Sequence, residues 1–87
     1  MAEERPATLE EIISAFAKQQ GIPPALALAV AKRESSLNPN AVGDSGQAIG
    51  LFQLHPGAAK DTGTVDRADP LQNIQGGVKY LKLLNDR

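Results

Sequence analysis

The first amphipathic segment of the chain follows a polar start. Apolar residues recur there at the three- and four-residue spacing of one helix face: Leu9, Ile12, Ile13, Phe16 and Ala17. Thr8 and Glu11 form the Thr-x-x-Glu pattern of a capping box, which predicts where the helix begins. Gly21 is placed to end it, and the prolines that follow prevent its continuation.

A second apolar segment, "PPALALAVAKRES", carries almost no polar residue before Lys32. Pro24 suits the first turn of a helix, where its missing N–H has no intrahelical partner. A segment that is apolar on nearly every side predicts a central, buried helix. Asn38 precedes Pro39 and is therefore disfavoured in helical geometry, so the helix should end before it.

Residues 39–50 contain three glycines and predict a loop. The short apolar run "GLFQL" follows; its periodicity does not separate helix from strand, and its context favours a short helix. "HPGAAKDTG" predicts another short helix, from near Pro56 to Gly63, with residues 64–68 as a surface connection.

The last segment, "DPLQNIQGGVKYLKLLNDR", opens with Asp69 as helix cap, Pro70 at the first helical position and Gln72 completing the cap. Its apolar stripe is predicted to be Leu71, Ile74, Val78 and Leu81, continued by Leu84 or Asn85. Two adjacent glycines, Gly76 and Gly77, disfavour a helix and predict close approach of another backbone, the central helix being the candidate. The chain is therefore expected to be mainly α (all-α), with a minor β element within 39–54 left open.

Composition narrows the class of protein. The 87 residues suffice for one domain, predicted as residues 8–87 after a polar leader at 1–7. A net charge of −1 with interspersed signs argues against a nucleic-acid partner, and no apolar run is long enough to span a membrane. The chain has no cysteine, and neither a metal nor a cofactor is indicated. Its acidic start lacks the apolar stretch of a signal peptide.

Glu34 is the first candidate for chemistry, because it stands where the apolar helix gives way to a glycine-rich loop. An apolar environment disfavours the charged form and raises the pKa of a carboxyl, which suits it to protonate a leaving oxygen. Gln53 adds an amide that can bond sugar hydroxyls. A solvated helix end, paired locally with Lys32 or Arg33, is the alternative interpretation.

The order of several short motifs identifies a family. The chain resembles the soluble lytic transglycosylase domain of the lysozyme-like superfamily in the order of its short motifs. These motifs are Glu34-Ser35, Asn38-Pro39, "GLFQ", Pro56 with Ala59, "DP", "NI", Gly77 and "YL". The chain resembles that domain over about residues 22–84. The resemblance implies a truncated lysozyme-like helical fold and an enzyme acting on peptidoglycan.

The resemblance further implies a single-acid mechanism. Glu34 would protonate the β-1,4 oxygen between N-acetylmuramic acid and N-acetylglucosamine, then accept the proton of the C6 hydroxyl, giving a 1,6-anhydro product. No second acid is evidently paired with Glu34, unlike the two carboxylates of most glycosidases. Asp44 is the nearest acidic residue in the loop, and aspartate is common in turns. If its carboxylate faced Glu34 across a cleft, hydrolysis of the lysozyme type would compete with anhydro-ring formation.

Substrate-binding roles carry over from the same resemblance. The residues concerned are Ser35, Gly50, Phe52, Gln53, His55 and Tyr80. Each also has a structural interpretation: Ser35 as a polar helix end, Phe52 as core, His55 as a structural histidine and Tyr80 as a packed ring with its hydroxyl at the surface.

Two departures from the family pattern bear on activity. Gly43 stands where many members have a serine that contacts the substrate, and no Ala-Tyr-Asn-Ala-Gly motif is present. In the family, that motif lies on further helices that follow the Tyr-Leu segment. Without those helices an apolar face is expected to be exposed, which predicts a homo-oligomer. A weakly active or inactive peptidoglycan-binding module is therefore the alternative function. The substrate implies action at the cell wall, by an export or phage-release route that the sequence leaves open.

Overall fold

The structure is a computed structural model that describes residues 6–87. Most of the predicted leader, residues 1–5, lies outside the described residues. Four α-helices follow in order: α1 (Leu9–Gln20), α2 (Pro24–Ser35), α3 (Pro56–Thr62) and α4 (Pro70–Asn85). Between α2 and α3, strands β1 (Val42–Gly43) and β2 (Ala48–Ile49) pair antiparallel around a 3₁₀ turn at Asp44–Gly46. The mainly-α fold with a minor β element is thus confirmed.

Local sequence signals set the helix ends. Thr8 Oγ1 accepts from the Glu11 backbone N–H at 3.2 Å, and Glu11 Oε1 accepts from the Thr8 N–H at 2.9 Å, so the predicted capping box is present. Gly21 and Gly63 end α1 and α3 in the left-handed conformation, with φ of 73° at both. Asp69 caps α4 by accepting from Gln72 N–H at 3.0 Å.

The core lies between α1, α2 and α4, with α3 packed on α4. Its buried members come from α1, α2, α4, the connection between α1 and α2, and the segment before α3. They are Ile13, Ala17, Ile22, Ala27, Ala31, Leu51, Phe52, Leu54, Ile74 and Val78. Only one face of α2 contributes, because Leu26 is 46% exposed while Ala27 and Ala31 are fully buried. The expectation that α2 is buried on nearly every side is therefore wrong.

Two further expectations are corrected. Gly50–Gln53 is not a short helix but a turn between β2 and Leu54, which bridges to Ile49. Its residues bond across the turn and to distant groups, which competes with helix formation. In α4, Ile74 and Val78 are buried as predicted, whereas Leu71 and Leu84 are exposed.

The close approach at Gly76 and Gly77 is made by side chains rather than by the backbone of α2. A Cβ at Gly77 would overlap the ring of Phe52, and one at Gly76 would overlap the hydroxyl of Thr64. The two glycines thus let the segments before and after α3 lie flat on α4.

Candidate active site

An open groove of about 570 Å³ runs along one side of the molecule. The exposed end of α2 forms one wall with Arg33 and Glu34, and α4 supplies Tyr80, Leu81 and Leu84. Phe52 and residues of α3, Gly57, Ala58 and Asp61, also belong to the lining. The groove is lined by apolar and polar side chains and is open to solvent, as a polymeric ligand requires.

Glu34 lies in this groove at the penultimate position of α2. Its side chain is 39% exposed, and one carboxylate oxygen lies 3.6 Å from a guanidinium nitrogen of Arg33. The expectation that Glu34 lies in water-excluded surroundings is therefore wrong. The apolar face of α2 points into the core, and Glu34 points away from it. The position beside a groove is nevertheless what an acid acting on a glycan needs.

Ser35, the last residue of α2, lies under the groove rather than in its lining. It is buried, and its hydroxyl lies 2.9 Å from Ala31 O and 2.8 Å from Leu51 O, to which its single proton can be donated. The contact to Leu51 ties the end of the Glu34 helix to the Gly50–Gln53 turn. Ser35 is 9% exposed, and in this structure it links the end of α2 to the Gly50–Gln53 turn.

The turn that carries Phe52 and Gln53 is closed by local bonds. Ile49 and Leu54 exchange backbone hydrogen bonds of 3.2 and 3.0 Å, and Gly50 has φ of +81°, which favours glycine. Gln53 itself is left-handed, with φ of 48°. Its amide nitrogen donates to Ala41 O at 3.0 Å and Gly50 O at 2.9 Å, so both amide hydrogens are used within the protein.

This conformation of Gln53 gives a physical reason for Gly43. A Cβ at position 43 would lie 2.6 Å from Gln53 Oε1, closer than two such atoms can approach. The glycine therefore makes room for the side chain of Gln53, which lines the groove. A serine at this position would require the Gln53 side chain to shift.

Asn73 secures the same turn from α4 and was missed as a functional candidate. It is 1% exposed. Its Nδ2 donates to Ile49 O at 2.8 Å and Arg67 O at 2.9 Å, and its Oδ1 accepts from Phe52 N–H at 2.9 Å. The signal that the sequence offered was its place in the "NI" motif, directly before the stripe residue Ile74; its burial then requires hydrogen-bond partners.

Phe52 and Tyr80 are the aromatic residues of the groove. Phe52 is 7% exposed and packs on Gly77, so most of its ring belongs to the core. Tyr80 is half-buried on α4. Gly50 lies behind the lining, where a Cβ would overlap the side chain of Asn73.

His55 lines the groove just before α3 and pairs with Asp44. Its Nε2 lies 2.8 Å from Asp44 Oδ2, and the two side chains are 51% and 70% exposed. Asp44 belongs to the 3₁₀ turn and is not part of the groove lining. The carboxylate that does share the groove with Glu34 is Asp61 of α3, which the sequence patterns did not single out.

Comparison with known proteins decides the family. Residues 11–87 match the family described as "Transglycosylase SLT domain".

The chain belongs to the transglycosylase SLT domain family.

The SLT domain has relatives in phages and bacteria. It is 42% identical over 77 residues to the transglycosylase of Enterobacteria phage PRD1, covering 88% of this chain and 29% of that protein. It is 40% identical over 86 residues to membrane-bound lytic murein transglycosylase C of Actinobacillus pleuropneumoniae, covering 86% and 23%. For membrane-bound lytic murein transglycosylase F of Shewanella halifaxensis, the identity is 46% over 59 residues, covering 68% and 12%.

This SLT domain thus spans less than a third of each of these relatives. Within residues 6–87, none of its helices has the length and apolar character needed to cross a membrane.

Proposed function

We propose that this SLT domain is a lytic transglycosylase that cleaves the β-1,4 bond between N-acetylmuramic acid and N-acetylglucosamine in peptidoglycan. The observation that carries the proposal is the position of Glu34 at the rim of a groove of about 570 Å³ that is lined by both polar and aromatic side chains. The relatives named as murein transglycosylases support the same substrate.

In this proposal Glu34 acts twice. Its protonated carboxyl gives a proton to the glycosidic oxygen as the C1–O bond breaks, which releases the N-acetylglucosamine end as an alcohol. The resulting carboxylate accepts the proton of the C6 hydroxyl as that oxygen bonds to C1. The product is a 1,6-anhydromuramoyl end, Glu34 is protonated again, and no water is consumed.

The other residues have supporting roles in the proposal. Arg33 lies 3.6 Å from the Glu34 carboxylate and orients that side chain in the groove. Gln53 lines the groove with its amide hydrogens held by the backbone, so that only its oxygen could accept from a sugar. Tyr80 and His55 offer ring surface on which a sugar face can pack, and Phe52 adds only the small exposed part of its ring.

Product analysis tests the proposal. Purified peptidoglycan is incubated with the wild-type chain, with Glu34→Gln and with Glu10→Gln, an exposed glutamate on α1 that is not part of the groove lining. Wild type and Glu10→Gln should release muropeptides that end in anhydromuramic acid, lighter by one water than hydrolysed ends in mass spectrometry. Glu34→Gln should release none while keeping the thermal unfolding midpoint of wild type, because an exposed carboxyl contributes little to stability.

Two alternative functions have distinct outcomes. A lysozyme-type hydrolase is favoured by Asp61, a second carboxylate in the groove, and would give reducing ends instead of anhydro ends. An inactive binding module would sediment with peptidoglycan, also as Glu34→Gln, and release nothing. Either result would refute the transglycosylase proposal.

Self-association is a separate part of the proposal. Leu83 and Leu84 at the end of α4 are 39% and 43% exposed, and Leu26 of α2 is 46% exposed. Exposed leucines of this size favour association through an apolar face. Light scattering of the chain at increasing concentration should show a mass above that of a monomer, and a constant monomer mass would refute it.

A further inference from the structure

The charged side chains that line the groove are Arg33, Glu34, His55 and Asp61. Arg33 and Glu34 lie 3.6 Å apart and offset each other. His55 lies 2.8 Å from Asp44 outside the lining. The Asp61 side chain is exposed and makes neither a hydrogen bond nor an ion pair within residues 6–87. It is therefore the charged group of the groove lining that has no partner among the described residues.

The place of Asp61 in its helix makes this charge unfavourable for folding. Asp61 is the penultimate residue of α3 (Pro56–Thr62), near the end where the backbone carbonyls carry negative partial charge. Cations are favoured there and carboxylates are disfavoured. No basic residue lies three or four positions away on α3 to offset it, since those positions are held by Gly57 and Ala58.

We propose that Asp61 is a specificity-determining residue that binds an ammonium group carried by the glycan substrate. The inference rests on the proposed function and assigns a chemical preference to the same groove. An ammonium group would offset the unpaired carboxylate with a charge-assisted hydrogen bond, which a neutral acetamide or hydroxyl does less well. In peptidoglycan such a group can belong to a diamino acid of the peptide or to a glucosamine that has lost its acetyl group.

Four substrates separate these two sources. The first pair is peptidoglycan with its amines free and the same material with all amines acetylated. The second pair is peptide-free glycan strands, fully N-acetylated or partly de-N-acetylated. For each, kcat/KM is measured with the full wild-type chain, Asp61→Asn, Asp61→Glu and the control Asp86→Asn. Asp86 pairs with Lys82 at the end of α4 and does not line the groove.

Wild type and Asp86→Asn should prefer the amine-bearing member of at least one pair by about two- to fivefold, the range of an exposed ion pair. The pair that shows the preference identifies the source of the amine. Asp61→Asn should lose the preference and still cleave the acetylated material, and Asp61→Glu should retain most of it. The preference should also fade as salt is raised toward 1 M, because screening weakens exposed charge pairs.

Three results would overturn the inference: equal cleavage of both members of each pair by wild type, an unchanged preference in Asp61→Asn, or loss of all cleavage in Asp61→Asn, which would make Asp61 catalytic. If wild type cleaves nothing, the proposed function fails, and sedimentation of wild type and Asp61→Asn with free and acetylated peptidoglycan decides the inference. If Asp61→Asn does not fold, the response of wild type to acetylation and salt decides it.

Discussion

Replacing Asn73 by alanine should be among the most damaging single changes to the stability of this SLT domain. The side chain is 1% exposed and makes three hydrogen bonds, to Ile49 O, Arg67 O and Phe52 N–H, at 2.8, 2.9 and 2.9 Å. Ile49 O keeps a second partner, the Leu54 N–H at 3.0 Å. Phe52 N–H and Arg67 O have no other bond among those made within residues 6–87.

The magnitude follows from those two groups. The Phe52 N–H is buried, and leaving a buried donor without a partner costs about 1–3 kcal/mol. The bond to Arg67 O is part-buried, so water can replace it in part and its loss adds about 0.5–1.5 kcal/mol. Alanine favours the helix over asparagine by about 0.5 kcal/mol and offsets a little of this. The expected decrease in the free energy of unfolding is about 1–4 kcal/mol, a large part of the total for a domain of this size.

Urea denaturation followed by far-ultraviolet circular dichroism measures the change. The matched control is Gln75→Ala, an exposed amide two residues further along α4, which should change the free energy of unfolding by less than about 0.5 kcal/mol. Asn73→Asp keeps the acceptor for Phe52 N–H but removes both donors, so it should also be destabilised. A decrease below about 1 kcal/mol in Asn73→Ala, at an unchanged denaturant slope, would refute the reasoning.

The same measurement checks two further predictions. Gly77→Ala should lower the free energy of unfolding by about 1–3 kcal/mol, because the added Cβ overlaps Phe52. Its control is Gly57→Ala in α3, which has open space at its Cβ and should raise the free energy of unfolding by up to about 1 kcal/mol. Equal effects of the two substitutions would contradict the packing explanation. Thr8→Ala removes the hydroxyl that accepts from Glu11 N–H and should cost about 1 kcal/mol, and no measurable loss would show that the capping box is not stabilising.

The candidate site was only partly predictable from the sequence. Glu34 and Gln53 were found from the end of the apolar helix and the motif order, and both line the groove. Asp61 was not found from the sequence, because nothing in "GAAKDTG" shows that this carboxylate lies beside a groove. The packing of α3 on α4 places it there. Ser35 was predicted either as a substrate contact or as a polar helix end, and its burial with the hydroxyl 2.8 Å from Leu51 O could not be anticipated from the sequence.

For the fold as well, some features follow from the sequence alone and others only from the tertiary structure. The helix ends were determined by the sequence because their signals act between neighbours: Thr8 and Glu11 are three residues apart, and Gly21 and Gly63 adopt the left-handed conformation by themselves. Local bonds close the Gly50–Gln53 turn, but only the tertiary structure decided that Asn73, more than twenty residues away, fastens it to α4. Local propensity cannot anticipate hydrogen bonds whose partners meet only after the helices have packed.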